Sequence, residues 1–447
     1  DVAHDQGQPL VMEGLEVAVV EAHTGYAKLD WNVLVREQPS GELIVEMEYA
    51  TQLFDEATIG AWFDGWMQLL GSFLAAPHLA LSKGNLMTAE CKRVAQKEGT
   101  GVPLPRATTR TCLAAIEAFA EVSPDAVALV QGDEKLTYSE LLRAADCFGQ
   151  CLIARSPDLP RASTIAVILP RGFDQVIALL GLWKCGHSYM ALDPAEPKAR
   201  NRQLVKTGRC ALVISGDEAH GGELGLPWID AKPGTQNMDL QVAHWAAPRP
   251  GDLAYLVPTS GTTGTPKCIE MEHGALQNQN RAAAATFGWS SRDVFLHRIP
   301  ITFDAAILEL LTPLSLGARV VLCNSEETRD PYAHVKLAKR SGATVLVGVA
   351  SWLEALLGES GFNDLLSLRM LISGGEVIGA GFAAKLAERR GHRALQVFNS
   401  YGPAESCVQV TAHMVTPCDL DQPGPLTRIG KPLPGTNVFV LDRGGSL

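Results

Sequence analysis

Hydroxyl residues, glycines and a lysine stand together in one short stretch, TSGTTGTPK, from Thr259 to Lys267. Glycines let backbone N–H groups come close to a polyanion, hydroxyls add short hydrogen bonds and the lysine adds a positive charge. The composition is therefore typical of a phosphate-binding loop. It differs from the common P-loop because no Ser or Thr follows Lys267. A Thr- and Gly-rich surface turn is the alternative interpretation.

Three further groups of residues could take part in chemistry. The stretch NSYGPAE (399–405) offers a carboxylate, Glu405, of the kind that binds Mg²⁺ beside a polyphosphate. The stretch ISGGE (372–376) has two adjacent glycines at a predicted strand end, where a ligand can approach the backbone. Asp304 lies in an apolar stretch, where a carboxylate is costly unless it is paired. Plain turns and, for Asp304, a helix N-cap are the alternatives.

The apolar periodicity alternates between helix and strand from residue 109 onward, with a second such run from about 276 to 397. This alternation indicates α/β structure with doubly wound, mostly parallel sheets. Thr137 and Glu140 form a capping-box pattern at the start of one helix. The predicted strands are 15–21, 27–36, 43–49, 126–130, 165–169, 188–192, 211–215, 253–257, 294–296, 319–322, 344–347, 370–372, 394–397 and 437–441. The predicted helices are 55–74, 113–120, 138–153, 173–183, 199–206 and 304–311.

The overall composition excludes several classes of protein. The 447 residues indicate two or three domains, and a net charge of −11 argues against nucleic acid as a partner. Ten cysteines without a CxxC pair or zinc-ligand spacing indicate reduced thiols and a cytoplasmic protein. No apolar run reaches the roughly 18 residues of a membrane span, so no membrane partner is expected. Because the chain lacks an initiator Met, we expect it to be a piece of a longer polypeptide.

The stretches SGTTGTPK and NSYGPAE resemble motifs of the adenylate-forming enzymes, which include acyl-CoA ligases, luciferases and the adenylation domains of nonribosomal peptide synthetases. Residues 136–141 and 182–194 match two further adenylation-domain motifs that are mostly structural. Residues 28–33 and 48–55 are similar to the closing segment of a condensation domain, although that family's His-His-x-x-x-Asp-Gly motif is absent. The resemblance implies a condensation-domain part at 1–85, a linker at 86–108 and the large adenylation core at 109–447.

The fold implied by this resemblance is two doubly wound, mostly parallel sheets with a small β-barrel, preceded by an α+β condensation-domain fragment. The implied activity is formation of aminoacyl-AMP from ATP and an amino acid, with Mg²⁺. The aminoacyl group would then pass to phosphopantetheine on a separate carrier domain. A carrier protein and neighbouring synthetase domains are the implied partners.

The resemblance also implies roles for single residues. Lys267 and Glu405 are the implied catalytic residues, with Glu405 as a Mg²⁺ ligand and Tyr401 beside adenine. Ala404 replaces the Thr that is usual in this motif, which removes a hydroxyl near the α-phosphate. The implied ATP-binding residues are Thr259, Ser260, Gly261, Thr262, Thr263, Gly264, Lys267, Gly374, Gly375, Glu376, Asn399, Ser400, Tyr401 and Glu405.

In members of the family that activate amino acids, the residue matching Asp304 binds the α-ammonium group. The implied pocket has no charged side chain facing the substrate side chain. We therefore predict a neutral, large or aromatic amino acid, with Gln409 as a possible hydrogen-bond partner. The implied pocket residues are Asp304, Ala305, Leu308, Val347, Ile372, Gly374, Ser400, Val408 and Gln409.

The family's C-terminal subdomain, whose lysine bridges the substrate carboxylate and the α-phosphate, has no match in this sequence. We therefore expect this chain to bind substrate weakly and to catalyse adenylation poorly. Two other functions stay open. One is a stand-alone acyl- or aryl-CoA ligase, against which Asp304 and residues 1–85 argue. The other is a non-catalytic nucleotide-binding module.

Overall fold

The computed structural model of the protein describes residues 14, 25–38, 40–84, 86–107, 109–217, 222–231, 247–259, 266–390, 395–421, 424–443 and 445. The chain divides into two compact units, one formed by Asp1–Lys97 with Val440–Leu447 and the other by Glu98–Phe439. No helix in the described part of the chain is long and apolar enough to cross a membrane.

The smaller unit contains an antiparallel hairpin and one long helix. Strands β1 (Trp31–Glu37) and β2 (Leu43–Tyr49) pair along their whole length. Helix α1 spans Glu56–Ala75, and the side chain of Asp55 caps it by accepting a backbone hydrogen bond from its first turn at 2.7 Å. These elements match three predictions for this part of the chain. The predicted strand at 15–21 lies outside the described residues.

Helix α2 (Ala89–Gly99) lies in the segment predicted as a linker and is not among the predicted helices. The hydroxyl of Thr88 accepts a hydrogen bond from the backbone N–H of Cys91 at 3.1 Å and so caps the helix. The linker is predicted from its glycines and prolines, and the first of these, Gly99, is the last residue of the helix. The linker bounds stay a prediction.

The secondary structure of the larger unit follows the predicted alternation. Its strands are β3 (Val127–Gln131), β4 (Glu134–Thr137), β5 (Thr164–Ile168), β6 (Ser188–Ala191), β7 (Leu212–Ser215), β8 (Trp228–Asp230), β9 (Leu253–Thr259), β10 (Lys267–Glu272), β11 (Val294–His297), β12 (Arg319–Leu322), β13 (Val345–Gly348), β14 (Met370–Gly374), β15 (Gln396–Tyr401), β16 (Thr411–Met414) and β17 (Lys431–Pro432). Its helices are α3 (Cys112–Val122), α4 (Tyr138–Arg155), α5 (Phe173–Lys184), α6 (Lys198–Thr207), α7 (His273–Phe287), α8 (Ala306–Glu309), α9 (Leu311–Ser315), α10 (Ser325–Arg329), α11 (Pro331–Ser341), α12 (Ala350–Gly358), α13 (Ala380–Arg390) and α14 (Pro417–Leu420).

These strands form two sheets. The six-stranded sheet has the order β10-β9-β6-β5-β7-β8, and its neighbours are parallel except for β9 and β10. The nine-stranded sheet has the order β17-β16-β15-β14-β13-β11-β12-β3-β4, in which β15 through β3 are parallel and the outer strands are antiparallel. The predicted α/β class with mostly parallel sheets is therefore confirmed, whereas the small barrel stays a prediction.

One apolar core includes residues of both sheets and of the helices packed on them. Trp183 of α5 is fully buried and donates from Nε1 to the carbonyl oxygen of Ala254 in β9 at 2.7 Å. The hydroxyl of Tyr138, at the start of α4, donates to the carbonyl oxygen of Ala318 at 2.8 Å. The capping box predicted for α4 is present. The aromatic side chains thus bury their rings while their polar ends find partners.

Two predicted elements differ from the observed structure. The helix predicted at 304–311 is split into α8 and α9, with a break at Leu310. Pro313 explains the break, because it lacks the N–H that would bond to the carbonyl group of Glu309 and its ring crowds that group. The strand predicted at 437–441 is wrong in the described residues, where Asn437 makes a single bridge to Thr100.

A buried aspartate joins the starts of three neighbouring strands of the larger sheet. Asp293, just before β11, accepts hydrogen bonds from Arg369 Nε and Nη2 at 2.9 Å each and from the hydroxyl of Thr344 at 2.7 Å. Burial acts to raise the pKa of Asp293, but these hydrogen bonds and one from the backbone of Ser290 outweigh it and lower the pKa below its ordinary value of 3.8. The ionised carboxylate therefore stabilises the fold above that pH.

Asp293→Asn is expected to lower the free energy of unfolding by about 2 kcal/mol at pH 7, because hydrogen bonds to a charged group are lost. Since the folded-state pKa of Asp293 is lowered, the deficit relative to the wild type should be complete above pH 3.8 and shrink below it. Urea unfolding at pH 7 and pH 3 measures both values. An equal unfolding midpoint for the two proteins at pH 7 would contradict this role.

Candidate functional site

A hairpin frames the predicted phosphate loop. Strand β9 lies between β6 and β10 and is buried over its apolar part, from Ala254 to Val257. Strand β10 begins at Lys267, which is exposed and is the antiparallel partner of Thr259. The structure thus fixes both ends of the loop. Residues 260–265 lie outside the described residues, and their roles stay predictions: Ser260, Gly261, Thr262, Thr263, Gly264 and Thr265.

The other predicted stretches meet at one edge of the nine-stranded sheet. Parallel pairing of β13, β14 and β15 places Val347 beside Ile372 and Gly374 beside Ser400. The carboxyl ends of adjacent parallel strands lie at the same edge, which is where α/β sheets bind ligands. The ISGGE and NSYGPAE stretches are therefore neighbours in space, as expected for parts of one site.

The residues of the Gly-Gly-Glu stretch also have structural contacts. A Cβ atom on Gly374 would lie 3.2 Å from the carbonyl oxygen of Ser400, so strand β15 already restricts the size of this residue. Gly375 has a φ of +80°, a left-handed conformation that favours glycine. Glu376 accepts a hydrogen bond from the backbone N–H of Ser351 at 3.0 Å, at the start of α12. Each of these structural contacts could by itself explain the residue type at its position, without a role in ATP binding.

Within the NSY part of the third stretch, Tyr401 is 49% exposed, whereas Asn399 and Ser400 are buried. Asn399 donates from Nδ2 to the carbonyl oxygen of Arg428 at 2.8 Å. The hydroxyl of Ser400 donates to the carbonyl oxygen of Thr411 at 3.4 Å. Tyr401 is thus half exposed, while the side chains of Asn399 and Ser400 bond to neighbouring backbone carbonyl groups.

Asp304 and Glu405 lie near enough for their charges to interact. Asp304 is partly buried in the turn before α8, and Glu405 is exposed in a short 3-10 helix, Ala404–Ser406. Burial raises the pKa of Asp304 above its ordinary value, against hydrogen bonding from the backbone of Ala305, and the charge of Glu405 raises it further. The N-cap of α8 is Ala305, so Asp304 does not cap this helix. Two neighbouring carboxylates favour the binding of a cation.

A small cavity lies beside Asp304. Its volume of about 10 Å³ suits about one water molecule. Tyr189 and Tyr255 form one wall, with their rings stacked at a centroid distance of 5.8 Å, and the segment 301–311 forms another. Neither tyrosine is among the site residues predicted from the sequence. Tyr189 lies in a motif interpreted as structural, and Tyr255 precedes the phosphate loop in an apolar strand, so only their pairing across β6 and β9 reveals the contact.

Two of the predicted pocket residues, Val408 and Gln409, lie in a turn that follows Glu405. The chain reverses after Glu405 through two residues in left-handed conformations, Cys407 with a φ of 64° and Val408 with a φ of 75°. A β-branched residue rarely adopts such a φ. We call Cys407–Gln409 the left-handed turn.

Most of the predicted pocket residues are buried. The buried pocket residues are Leu308, Val347, Ile372, Ser400, Val408 and Gln409, and the partly exposed ones are Asp304, Ala305 and Gly374.

Residues 116–447 match the family model described as AMP-binding enzyme. The chain belongs to this family. The match covers both sheets of the AMP-binding enzyme from β3 onward, together with all the candidate site residues named above. The predicted recognition as an adenylate-forming enzyme is thereby confirmed, whereas the condensation-domain interpretation of residues 1–85 stays a prediction.

Relatives of this AMP-binding enzyme include peptide synthetases. Phosphinothricin tripeptide synthetase PhsB of Streptomyces viridochromogenes is 31% identical over 432 residues, which cover 94% of this chain and 35% of the relative. Tyrocidine synthase 3 of Brevibacillus parabrevis is 28% identical over 424 residues, which cover 93% of this chain and 6% of the relative. The chain spans 6 to 35% of the length of such relatives.

Solved structures share the fold of the AMP-binding enzyme. The nonribosomal peptide synthetase FmoA3, in its alpha-methyl-L-serine-AMP bound form, superposes with a TM-score of 0.80 at 23% identity and covers 95% of this chain and 48% of its own. The four domain nonribosomal peptide synthetase AB3403, bound to AMP and glycine, gives a TM-score of 0.79 at 22% identity and covers 94% of this chain and 30% of its own. These matches confirm the predicted α/β fold with mostly parallel sheets.

Proposed function

We propose that this site activates a neutral amino acid as aminoacyl-AMP. The amino acid carboxylate attacks the α-phosphorus of ATP, the bond to pyrophosphate breaks, and the aminoacyl group is then available for transfer to phosphopantetheine on a carrier domain. One observation carries the proposal. Asp304 is partly buried near Glu405 and does not cap α8, an arrangement that suits a substrate ammonium group. An acyl or aryl acid has no such group.

Because both reactants are anions, the protein must mainly supply positive charge and orientation. The exposed Lys267 at the end of the hairpin would contribute charge to the phosphates, and the exposed ring of Tyr401 would pack on adenine. The remaining proposed ATP contacts are Thr259, Ser260, Gly261, Thr262, Thr263, Gly264, Gly374, Gly375, Glu376, Asn399 and Ser400.

Glu405 fits a supporting role in binding Mg²⁺. Its carboxylate is exposed at the edge where β14 and β15 end. Among the described residues no group of three or more His, Cys, Asp or Glu side chains is arranged for a metal ion. Mg²⁺ at nucleotide sites is usually bound by one or two carboxylates together with substrate phosphates. When bound, the ion would neutralise phosphate charge, while Glu405 would fix its position.

The substrate side chain is proposed to be neutral and large or aromatic. Leu308, Val347, Ile372 and Val408 supply buried apolar surface, which favours an apolar substrate side chain and opposes a charged one. Asp304 distinguishes amino acids from other carboxylic acids. The preferred substrate therefore has an ammonium group for Asp304 and an apolar side chain for the buried apolar surface.

We infer that a carrier protein and neighbouring synthetase domains are the partners, in a pathway of secondary metabolite synthesis. The names of the relatives, and the four domain architecture of one structural neighbour, support this inference. All ten cysteines are free thiols, which supports a cytoplasmic location.

Binding of aminoacyl-sulfamoyl adenosines, measured by calorimetry on this chain, tests the proposal without requiring turnover. We expect one neutral aminoacyl analogue to bind at least about 100-fold more tightly than benzoyl-sulfamoyl adenosine, which lacks the ammonium group. ATP–pyrophosphate exchange across the proteinogenic amino acids then identifies the substrate. Equal affinity for the benzoyl analogue would favour an aryl acid ligase, and binding of ATP without any acyl preference would favour a nucleotide-binding module.

A further inference from the structure

Helix α7 carries two consecutive buried amides that contact both sides of the candidate site. Gln279 and Asn280 are 4% and 0% exposed. Asn280 Oδ1 accepts a hydrogen bond from the hydroxyl of Thr312 at 2.8 Å, in helix α9 of the segment that follows Asp304. The Gln279 side chain contacts the left-handed turn that follows Glu405. One helix is therefore in contact with the segment that follows Asp304 and with the turn that follows Glu405.

Gln279 satisfies backbone groups of the left-handed turn. With the Gln279 amide assigned in the orientation that gives its nitrogen two acceptors, that nitrogen donates to the carbonyl oxygens of Cys407 at 3.2 Å and Gln409 at 2.9 Å. Its oxygen then lies 3.3 Å from Gln409 Oε1. A buried carbonyl oxygen without a hydrogen-bond donor destabilises the folded protein. A single side chain therefore bonds to the turn on both sides of Val408.

The turn depends on such support because its backbone is strained. Cys407 and Val408 are both left-handed although neither is glycine, and such conformations persist only where surrounding contacts determine them. On the other side of the turn, the carbonyl oxygen of Val408 lies close to Gly402, where a Cβ atom would be 2.4 Å away. The hydroxyl of Tyr255 lies 3.6 Å from Cys407 Sγ. The turn is thus confined by three contacts. The carbonyl oxygen of Cys407 also accepts a hydrogen bond from the backbone N–H of Gln409 at 3.0 Å, so Gln279 matters most for the carbonyl oxygen of Gln409.

We propose that Gln279 is a positioning residue for amino acid selection: it holds the left-handed turn so that Val408 lines the substrate pocket and Glu405 stays within range of the charge on Asp304. The proposal rests on the proposed function and extends it to a residue outside the family motifs. The role predicted for Gln409 stays a prediction; its side-chain amide lies 3.3 Å from that of Gln279.

Gln279→Met keeps the side-chain length and removes the hydrogen bonds to the turn. The matched control is Gln277→Met, since Gln277 lies on the same helix, is 6% exposed and bonds to the Thr109 hydroxyl instead. We measure the affinity for ATP and for the preferred aminoacyl-sulfamoyl adenosine. Gln279→Met is expected to weaken the aminoacyl analogue at least about tenfold more than ATP, whereas Gln277→Met should change both affinities equally. Equal changes in both variants would overturn the proposal.

A second variant separates positioning from general instability. Cys407→Gly permits the left-handed backbone without strain, so the turn needs less support. In the Gln279→Met background it is expected to recover part of the lost affinity for the aminoacyl analogue, and failure to recover any would overturn the proposal. If the wild-type chain binds the aminoacyl analogue no better than ATP, the proposed function itself fails, which is a different outcome from equal effects of the two glutamine variants.

Discussion

Asp304→Asn is expected to weaken binding of the preferred aminoacyl-sulfamoyl adenosine by about 100-fold, or about 2.7 kcal/mol, because the amide cannot neutralise a substrate ammonium group in a partly buried site. Affinity for ATP alone should change by less than about twofold, since ATP carries no such group. Calorimetric titration with both ligands gives the two values. A parallel loss of ATP affinity, or an unchanged affinity for the aminoacyl analogue, would show that Asp304 does not bind the ammonium group.

The same substitution should not destabilise the fold. Burial and the charge of Glu405 raise the pKa of Asp304, so the ionised carboxylate costs the folded state free energy above the raised folded-state pKa. Below the ordinary value of 3.8 the group is protonated in both states and the cost disappears. Asp304→Asn should therefore melt at the same or a higher temperature than the wild type at pH 7, and the difference should vanish at low pH.

Asp293→Asn is the matched control for this experiment, because hydrogen bonds lower the pKa of Asp293 whereas burial raises that of Asp304. We expect Asp293→Asn to lose stability and keep its affinity for the aminoacyl analogue, and Asp304→Asn to do the reverse. The buried Asp293 and the partly buried Asp304 thus separate a structural carboxylate from a binding one. If both variants lost stability and affinity together, neither assignment would hold.

The sequence predicted the α/β fold because the apolar runs and capping patterns that indicate its strands and helices are local. Buried parallel strands such as β13 and β14 are short apolar runs, and the capping box of α4 lies within four residues. The same holds for the strand ends that carry the ISGGE and NSYGPAE stretches. Parallel pairing then brings these stretches together at one sheet edge without any further signal.

The parts that the sequence did not predict depend on contacts between distant segments. The left-handed conformation of Val408 is unfavourable for its residue type, and Gln279, which bonds to the turn, lies about 130 positions earlier in the chain. Stacking of Tyr189 on Tyr255 arises from the pairing of β6 with β9. Such features follow from the assembled fold and carry no local pattern.

Gly402→Ala is expected to lower the free energy of unfolding by about 3 kcal/mol and to weaken the aminoacyl analogue by at least about tenfold. A Cβ atom at this position would lie 2.4 Å from the carbonyl oxygen of Val408, and 2.5 and 2.8 Å from Cα and the backbone nitrogen of Gln409. These neighbours are backbone atoms, so no side-chain rotation relieves the overlap. The left-handed turn must move, and with it Val408 in the candidate pocket.

Gly379→Ala is the matched control, because a Cβ atom there meets no atom within 4 Å. Thermal unfolding and calorimetry on both variants separate crowding at the turn from the general effect of replacing glycine. We expect Gly379→Ala to match the wild type in both measurements. If Gly402→Ala were as stable as the wild type and bound the aminoacyl analogue equally well, the turn would be free to move. Its strained geometry would then have no part in holding Glu405 and Val408.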